Sequence, residues 1–400
     1  MIEQAMMADG LMADASKGVA PVGTRATGRR VVLVQTQAEA AGAQEITRLL
    51  GRGLAARGYD VYSIFLFRRT GAFDREPNTV FCAAKRPAGP VALLKIFVAL
   101  LRHLKALQPD AVLCFQHYGI LVGTLAAYMA GTRVVIANRT SSKSLVPRWA
   151  RATDLAFGLS GLFRKVVVNC RAIEHEYATF PRRYRNRLTR IDHGFEAKTA
   201  ALGRNDARKL LKLPADATLV GSVARLHPGK NLAAAIRILP GRDWHLALAG
   251  QGEARDDLIA LAKALGVSDR VHFLGELPPA QIGAFLRALD VFVFPTLAET
   301  FGLAAVEAAQ AGVPVVANDL EVLRETLAVG GKPCALFVNA NDTNAFAAAV
   351  QRLIEDRQLA AVLASRGTQL SQRYSLDAMV ERYAELIEAV TRRSWRPAKA

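Results

Sequence analysis

Short apolar runs alternate with helical stretches along most of the chain. Val31 to Gln35 reads as a buried strand, followed by a Gly-containing loop (Ala41, Gly42, Ala43) and a helix to about Arg57 that Gly58 caps. Asp60 to Phe67 is the next strand, Pro90 to Leu107 a helix and Ala111 to Phe115 a strand. Ile120 to Met129 then reads as a helix, with Arg133 to Ala137 and Lys165 to Asn169 as further strands. Strands alternating with helices at this spacing predict an α/β fold with a doubly wound parallel sheet.

The periodicity lapses over Asp192 to Asn205 and then restarts. Leu219 to Val223, His245 to Ala249 and Val271 to Phe273 read as strands, with helices from Leu232 and over Asp256 to Leu265. Two Rossmann-like domains facing across a cleft are therefore expected. Residues 29–195 form the first, 196–205 the linker and 206–374 the second, with a helix over 375–392 crossing back to the first. Residues 1–28 are small, polar and unpatterned, which predicts a disordered tail.

The segment from Asp290 to Ala317 carries the most chemistry. Val291 to Phe294 reads as a strand ended by Pro295, a polar elbow spans Thr296 to Thr300, and a small-residue helix opens at Gly302 and closes at Gly312 before a strand over Val313 to Ala317. Such βαβ units bind ligands at the carboxyl ends of their strands. Glu299 lies in the elbow and Glu307 inside an otherwise apolar helix, where a carboxylate is costly without hydrogen-bond donors. Glu307 is thus expected to lack a protein partner and to await a hydroxylated ligand. Glu299 to Leu303 also places free backbone N–H groups at a helix start. Upstream, Arg225 and Lys230 sit on a turn after a strand, where they read by themselves as ordinary loop charges or as two cations that clamp a diphosphate. Gly250 and Gly252 follow the next strand, where the backbone must turn tightly or admit a ligand.

Charge separates the two halves. Residues 1–195 hold 28 Lys and Arg against 13 Asp and Glu, whereas residues 196–400 hold 24 against 22. The basic runs (Arg68-Arg69, Arg148 to Arg151, Arg164-Lys165, Arg182 to Arg190) are either solvated faces or contacts to an anionic membrane surface. Nucleic acid is not expected, because no recognition motif accompanies them. No stretch reaches the roughly 18 uncharged apolar residues of a membrane span, and Pro90 to Leu107 reads as amphipathic. The N-terminus lacks the basic start and apolar core of a signal peptide. The four cysteines are far apart and form no CxxC pair, so neither zinc nor a disulfide framework is expected and a reducing cytoplasm fits.

From about Gly221 to Ala317 the chain resembles the retaining nucleotide-sugar glycosyltransferases of glycosyltransferase family 4, which have the GT-B fold. Their Glu-x7-Glu signature is met by Glu299 and Glu307, and their Arg-Leu…Lys turn by Arg225-Leu226 and Lys230. In the first half the family's Gly-Gly loop appears as Ala41-Gly42-Ala43-Gln44, its Asn-Gly turn as His193-Gly194, and its cleft histidine as His117. The resemblance implies that Arg225 and Lys230 hold the donor diphosphate, Glu299 the transferred sugar and Glu307 the ribose. Phe301, Gly302 and Leu303 would supply backbone N–H groups, Gly250 and Gly252 would line the donor site, and Leu277 would lie near the base. Gly42 would approach the phosphates and His117 the reacting sugar. It implies a hexose donor linked to UDP or GDP, no metal, and a glycan or lipid-linked acceptor of polysaccharide or lipopolysaccharide synthesis; the basic first half and the amphipathic Pro90 to Leu107 add the expectation of a cytoplasmic enzyme peripheral to the inner membrane. Other readings are a nucleotide-sugar epimerase or phosphorylase on the same fold, and a nucleic-acid-binding or scaffolding protein that lost catalysis.

Overall fold

The structure is a computed structural model that describes residues 28–39, 41–139 and 146–392. All but the last residue of the expected disordered tail lies outside that range. The chain divides into two compact units. The first holds residues up to Val167, Phe180–Thr189 and the chain from Val380; the second holds Val168–Thr179 and Arg190–Met379.

The sheet of the first unit comprises β1 (Arg30–Ala38), β2 (Asp60–Arg68), β3 (Thr79–Phe81), β4 (Ala111–Phe115), β5 (Val135–Arg139), β6 (Lys165–Val168) and β7 (Leu188–Arg190). Their order is β3-β2-β1-β4-β5-β6-β7. Val31 to Val34 of β1 are fully buried, as are Ala111 to Cys114 of β4, because helices cover both faces of a parallel sheet. Val31 lies opposite Val61 on one side and Ala111 on the other, both pairings parallel. The strand expected over Arg133 to Ala137 is displaced by two residues, since Val135 rather than Arg133 registers with Val112 of β4. That shift puts Asn138 and Arg139 at the carboxyl end of β5, both buried.

Helices α1 (Gly42–Ala56), α2 (Gly89–Leu107), α3 (His117–Met129) and α4 (Arg148–Ser160) pack in this unit. In α1 the buried Ile46, Leu49, Leu50 and Leu54 recur at the spacing of one helical face, and Gly58 follows its end at φ +86°. The Leu376–Arg392 helix returns as the sequence predicts, its residues from Val380 belonging to the first unit. Arg29 grips Glu388 with two hydrogen bonds of 2.8 and 3.1 Å, and Tyr383 donates to Asn138 Oδ1 at 2.8 Å. Gly53 is required there, because a Cβ would stand 2.4 Å from Val380 Cγ2.

The second unit repeats the plan with β8 (Leu219–Val223), β9 (His245–Ala249), β10 (Val271–Gly275), β11 (Val291–Phe294) and β12 (Val315–Asn318). A short antiparallel ribbon, β13 (Ala328–Val329) and β14 (Lys332–Pro333), precedes β15 (Leu336–Val338). The sheet order is β10-β9-β8-β11-β12-β15, all pairs parallel. The expected linker ends two residues early, because a helix already begins at Arg204. Both sheets have the doubly wound order in which the connection reverses beside the first strand. The reversal falls between β1 and β4 in one unit and between β8 and β11 in the other.

Candidate functional site

In open α/β sheets, ligands bind outside the carboxyl ends of the strands where the order reverses. In the second unit three loops at that edge are laced together. Ala224 N–H donates to Ala249 O at 3.0 Å, Leu226 N–H to Gln251 O at 2.9 Å and Gly250 N–H to Gly275 O at 2.7 Å. Gly250 (φ +142°) and Gly252 (φ +159°) make the lacing possible, since Cβ atoms there would lie 1.9 Å from Ala224 O and 2.2 Å from Leu226 O. Beside them opens a cavity of about 460 Å³ lined by Gln251, Gly252, Arg255, Phe273, Leu274 and Gly275. Leu277 lies half-buried just beyond it.

Arg225 is exposed on the loop after β8, and Lys230 ends a tight turn over Pro228–Lys230 that His227 caps by accepting from Gly229 N–H at 3.0 Å. The ammonium of Lys230 donates to Glu299 Oε1 and stands 5.8 Å from the Phe294 ring centroid. These two side chains, expected to serve separate parts of a ligand, hold each other in the structure. The Glu299 elbow is fixed from below by its own first residue, Thr296, and by Asn318, to which the sequence assigns no role. Thr296 is buried, with its hydroxyl 3.3 Å from Gly229 O and 3.4 Å from Glu299 Oε1, and Asn318 at the end of β12 donates to Thr296 O at 2.9 Å. Their only sequence signal is two polar residues at strand ends.

Gly302 turns the chain at φ +82° into the Leu303–Gln310 helix, and a Cβ there would meet Leu323 Cδ2 at 2.4 Å. Phe301 points into the core, edge-on to Tyr374 at 4.9 Å and His193 at 5.0 Å, so only its backbone is free to meet a ligand. His193 Nε2 lies 3.0 Å from Asn169 Nδ2, and burial pushes the imidazole pKa down to about 4. Cys170 Sγ donates to Thr300 O at 3.4 Å, which ties the same elbow to the 168–179 segment. Glu307 is buried, as the apolar helix predicts, but it is not without a partner. The expectation of an isolated carboxylate is corrected: a side chain this deep in a folded helix is engaged before any ligand arrives.

In the first unit, two of the predicted site residues lie at helix starts instead of in loops. Gly42 opens α1, because Ala41 is extended (φ −145°, ψ 159°) and its carbonyl already accepts from Glu45 N–H at 2.9 Å. His117 opens α3, because Gln116 turns the chain within one residue, at φ +59° and ψ 160°. That conformation is nearly confined to glycine. It is held by Thr36 N–H, which donates to Gln116 Oε1 at 2.9 Å, while Thr36 Oγ1 accepts from Gly119 N–H at 3.0 Å. His117 Nε2 is buried without a partner among the described residues. Burial, and then Arg139, hold its pKa below the ordinary value, so the ring is neutral. It faces a small cavity shared with Arg139 and Asp154, which are ion-paired, and Tyr184 donates to Asp154 at 3.0 Å.

Among the described residues no three His, Cys, Asp or Glu side chains converge as a metal-binding group. No described helix is long and apolar enough to cross a membrane.

Comparison with known proteins places both halves. Residues 40–198 match the family described as Glycosyltransferase Family 4, and residues 203–370 match Glycosyl transferases group 1. Over 251 residues the chain is 32% identical to the D-inositol 3-phosphate glycosyltransferase of Mycolicibacterium smegmatis, covering 58% of this chain and 56% of that one. It is 36% identical over 184 residues to the lipopolysaccharide core biosynthesis glycosyltransferase LpsE of Rhizobium meliloti, covering 45% and 52% of the two chains. The chain thus spans about half the length of the curated relatives it matches. Among solved structures, HepE of Anabaena in complex with UDP and glucose superposes with a TM-score of 0.77 at 19% identity, over 90% of this chain and all of that one. WaaG, a glycosyltransferase involved in lipopolysaccharide biosynthesis, gives a TM-score of 0.71 at 16% identity, over 90% of this chain and 99% of that one. At such identities these two establish the shared fold.

Proposed function

Since the chain belongs to the glycosyltransferases of family 4, with the GT-B fold, we propose that it transfers a hexose-type sugar from a nucleoside-diphosphate sugar, with retention and without a metal, to a lipid-linked or cell-envelope glycan. The observation that carries this reading is the cluster at the β8–β11 edge. Lys230 and Glu299 are paired there, Arg225 stands on the same turn, and the N-terminus of the Leu303–Gln310 helix opens beside them. Breaking a sugar–phosphate bond leaves negative charge on the departing diphosphate, which preorganised cations and helix N–H groups stabilise. Arg225 and Lys230 take that role. Glu299 accepts from hydroxyls of the transferred sugar and Glu307 from those of the ribose. Phe301, Gly302 and Leu303 donate backbone N–H groups, Gly250 and Gly252 shape the donor loops, and the base lies toward Leu277.

The first unit, with His117, takes the acceptor in this reading. Membrane proximity rests on α2, where Val91, Leu93 and Leu94 are exposed beside Lys95, Arg102 and Lys105. Such a face adsorbs to anionic lipid. A cytoplasmic enzyme bound peripherally to the inner membrane follows from that. Sedimentation with anionic vesicles at low salt tests it, and protein left in the supernatant removes the membrane part.

The donor assignment is tested by a thermal-shift panel of UDP-, GDP- and ADP-sugars. At least one sugar nucleotide raises the wild-type melting temperature, and Glu307→Ala loses that rise. A mutant that responds like wild type sinks the ribose assignment. Nucleotide release in excess EDTA that requires an added lipooligosaccharide acceptor identifies a metal-independent transferase; release without acceptor identifies another reaction.

A further inference from the structure

Two large aromatic side chains stand half in solvent at the carboxyl edge of the first sheet. Tyr118 and Trp149 are each 50% exposed, and their ring centroids lie 6.5 Å apart at 48°. Both pack on His117, with centroid distances of 5.2 and 5.3 Å and nearly edge-on angles of 63° and 73°. The pair is therefore seated on a partly buried ring next to the strained Gln116, at the place where the strand order reverses. A Tyr or Trp carries 150–250 Å² of mostly apolar surface, so leaving two of them half-uncovered forgoes burial that a folding core would use.

The geometry points to a carbohydrate-stacking platform: Tyr118 and Trp149 bind a pyranose ring of the acceptor glycan. One face of a pyranose is a patch of C–H bonds with slight positive charge, and the faces of indole and phenol rings are negative, so the two attract over a flat apolar contact. The rim of the same sugar carries hydroxyls. His117, whose Nε2 is buried and whose ring lines the cavity shared with Arg139 and Asp154, is the fixed seat of the two rings and not a contact to those hydroxyls. The alternative for exposed Trp and Tyr is anchoring in a lipid interface. Two features favour sugar. Both rings are fixed edge-on against one polar histidine, and Trp149 stands on a different helix from Tyr118, so the pair is set by the fold and not by the exposed face that Leu125 and Met129 continue along α3. This assignment rests on the transferase reading only in calling the bound glycan an acceptor.

A printed array of bacterial surface oligosaccharides tests the platform, followed by calorimetric titration of the tightest-bound free oligosaccharide. Trp149→Ala is expected to weaken that glycan about tenfold or more, and Tyr118→Ala less, as truncation of an aromatic anchor does. Trp149→Phe retains binding because the stacking face persists. Sugar-nucleotide affinity stays at the wild-type value in all three, which also shows that they fold. Glycan affinity unchanged in Trp149→Ala overturns the proposal, and so does a wild-type protein that binds sugar nucleotide but no glycan. Binding to anionic vesicles that falls in Trp149→Ala, with no glycan retained, makes the pair a lipid anchor and also overturns it. Loss of sugar-nucleotide binding in wild type with glycan binding intact refutes the donor reading and leaves the platform standing.

Discussion

The two sheets share one strand order, yet their reversal points are finished in opposite ways. At the β8–β11 edge the polar groups are paired: Lys230 with Glu299, Asn318 with the Thr296 carbonyl, and three loops with one another. At the β1–β4 edge the chain is strained at Gln116, His117 Nε2 has no partner among the described residues, and two aromatic rings are left half-exposed. A paired site is preorganised for one ligand, because its charges are already oriented where that ligand's charge develops. A site with unspent contacts is completed by whatever docks on it. Under the proposed function, this is the contrast expected of an enzyme whose donor chemistry is fixed while its acceptor is particular to the chain.

The sharpest way to break that contrast is to remove Lys230. Lys230→Ala deletes one of the two proposed diphosphate cations and leaves Glu299 without its ammonium partner. Loss of a preorganised charge-stabilising donor lowers turnover by about 10²–10³-fold. A steady-state assay of nucleotide release at saturating donor reads the drop. A fall of only a few-fold would mean that the pair is structural and that the electrostatic centre lies elsewhere.

The same contrast governs how much of the molecule could be read from its sequence. Apolar runs such as Val31 to Val34 and Val291 to Phe294 are buried on both faces, so their hydrophobicity alone marks them as strands. The loops that carry the proposed donor residues are legible because strand, glycine and charge recur there in a fixed local order. What escaped depends on distant parts of the chain. The strand Thr79–Phe81 is short and only half-buried, and the sequence marks α4 only by its basic run, because Ala150, Asp154 and Gly158 form a thin buried face. Nothing in the order of residues announces that Gln116 takes a positive φ, since the Thr36 amide that holds it lies 80 positions away. Tyr118 and Trp149 likewise meet only through the fold.

A second, smaller effect separates the sites by pH. Burial of His193, packed edge-on against the Phe301 ring, pushes its pKa down from an ordinary 6.5 to about 4 when folded. As pH falls, the unfolded chain takes up its proton first, so stability declines between pH 6.5 and about 4 and levels off below that. His193→Asn removes the titrating group while keeping a polar side chain. Its melting temperature is expected to fall less than that of wild type across this window. His117, His245 and His272 are also shifted downward, so wild type and mutant share those contributions and their difference isolates His193. Parallel melting curves would place the acid sensitivity elsewhere.

The smallest expected effect tests whether the strain at Gln116 belongs to function. A non-glycine residue in this region costs about 1–3 kcal/mol, offset in part by the bond from Thr36 N–H, worth about 0.5–1.5 kcal/mol. Gln116→Ala keeps the strain and loses the bond, whereas Gln116→Gly loses both. Urea unfolding should therefore rank glycine above alanine here by about 1 kcal/mol, although glycine is ordinarily the less stable choice within regular structure. Activity should not follow that order. With the Gln116 carboxamide gone from either variant, α3 and its first residue His117 lose a tether to Thr36, and acceptor KM should rise in both while donor affinity stays fixed. A glycine variant that is more stable and binds acceptor as wild type does would mean that the strain has no part in acceptor recognition. The difference between the two edges would then reduce to the aromatic pair and the unpartnered histidine atom.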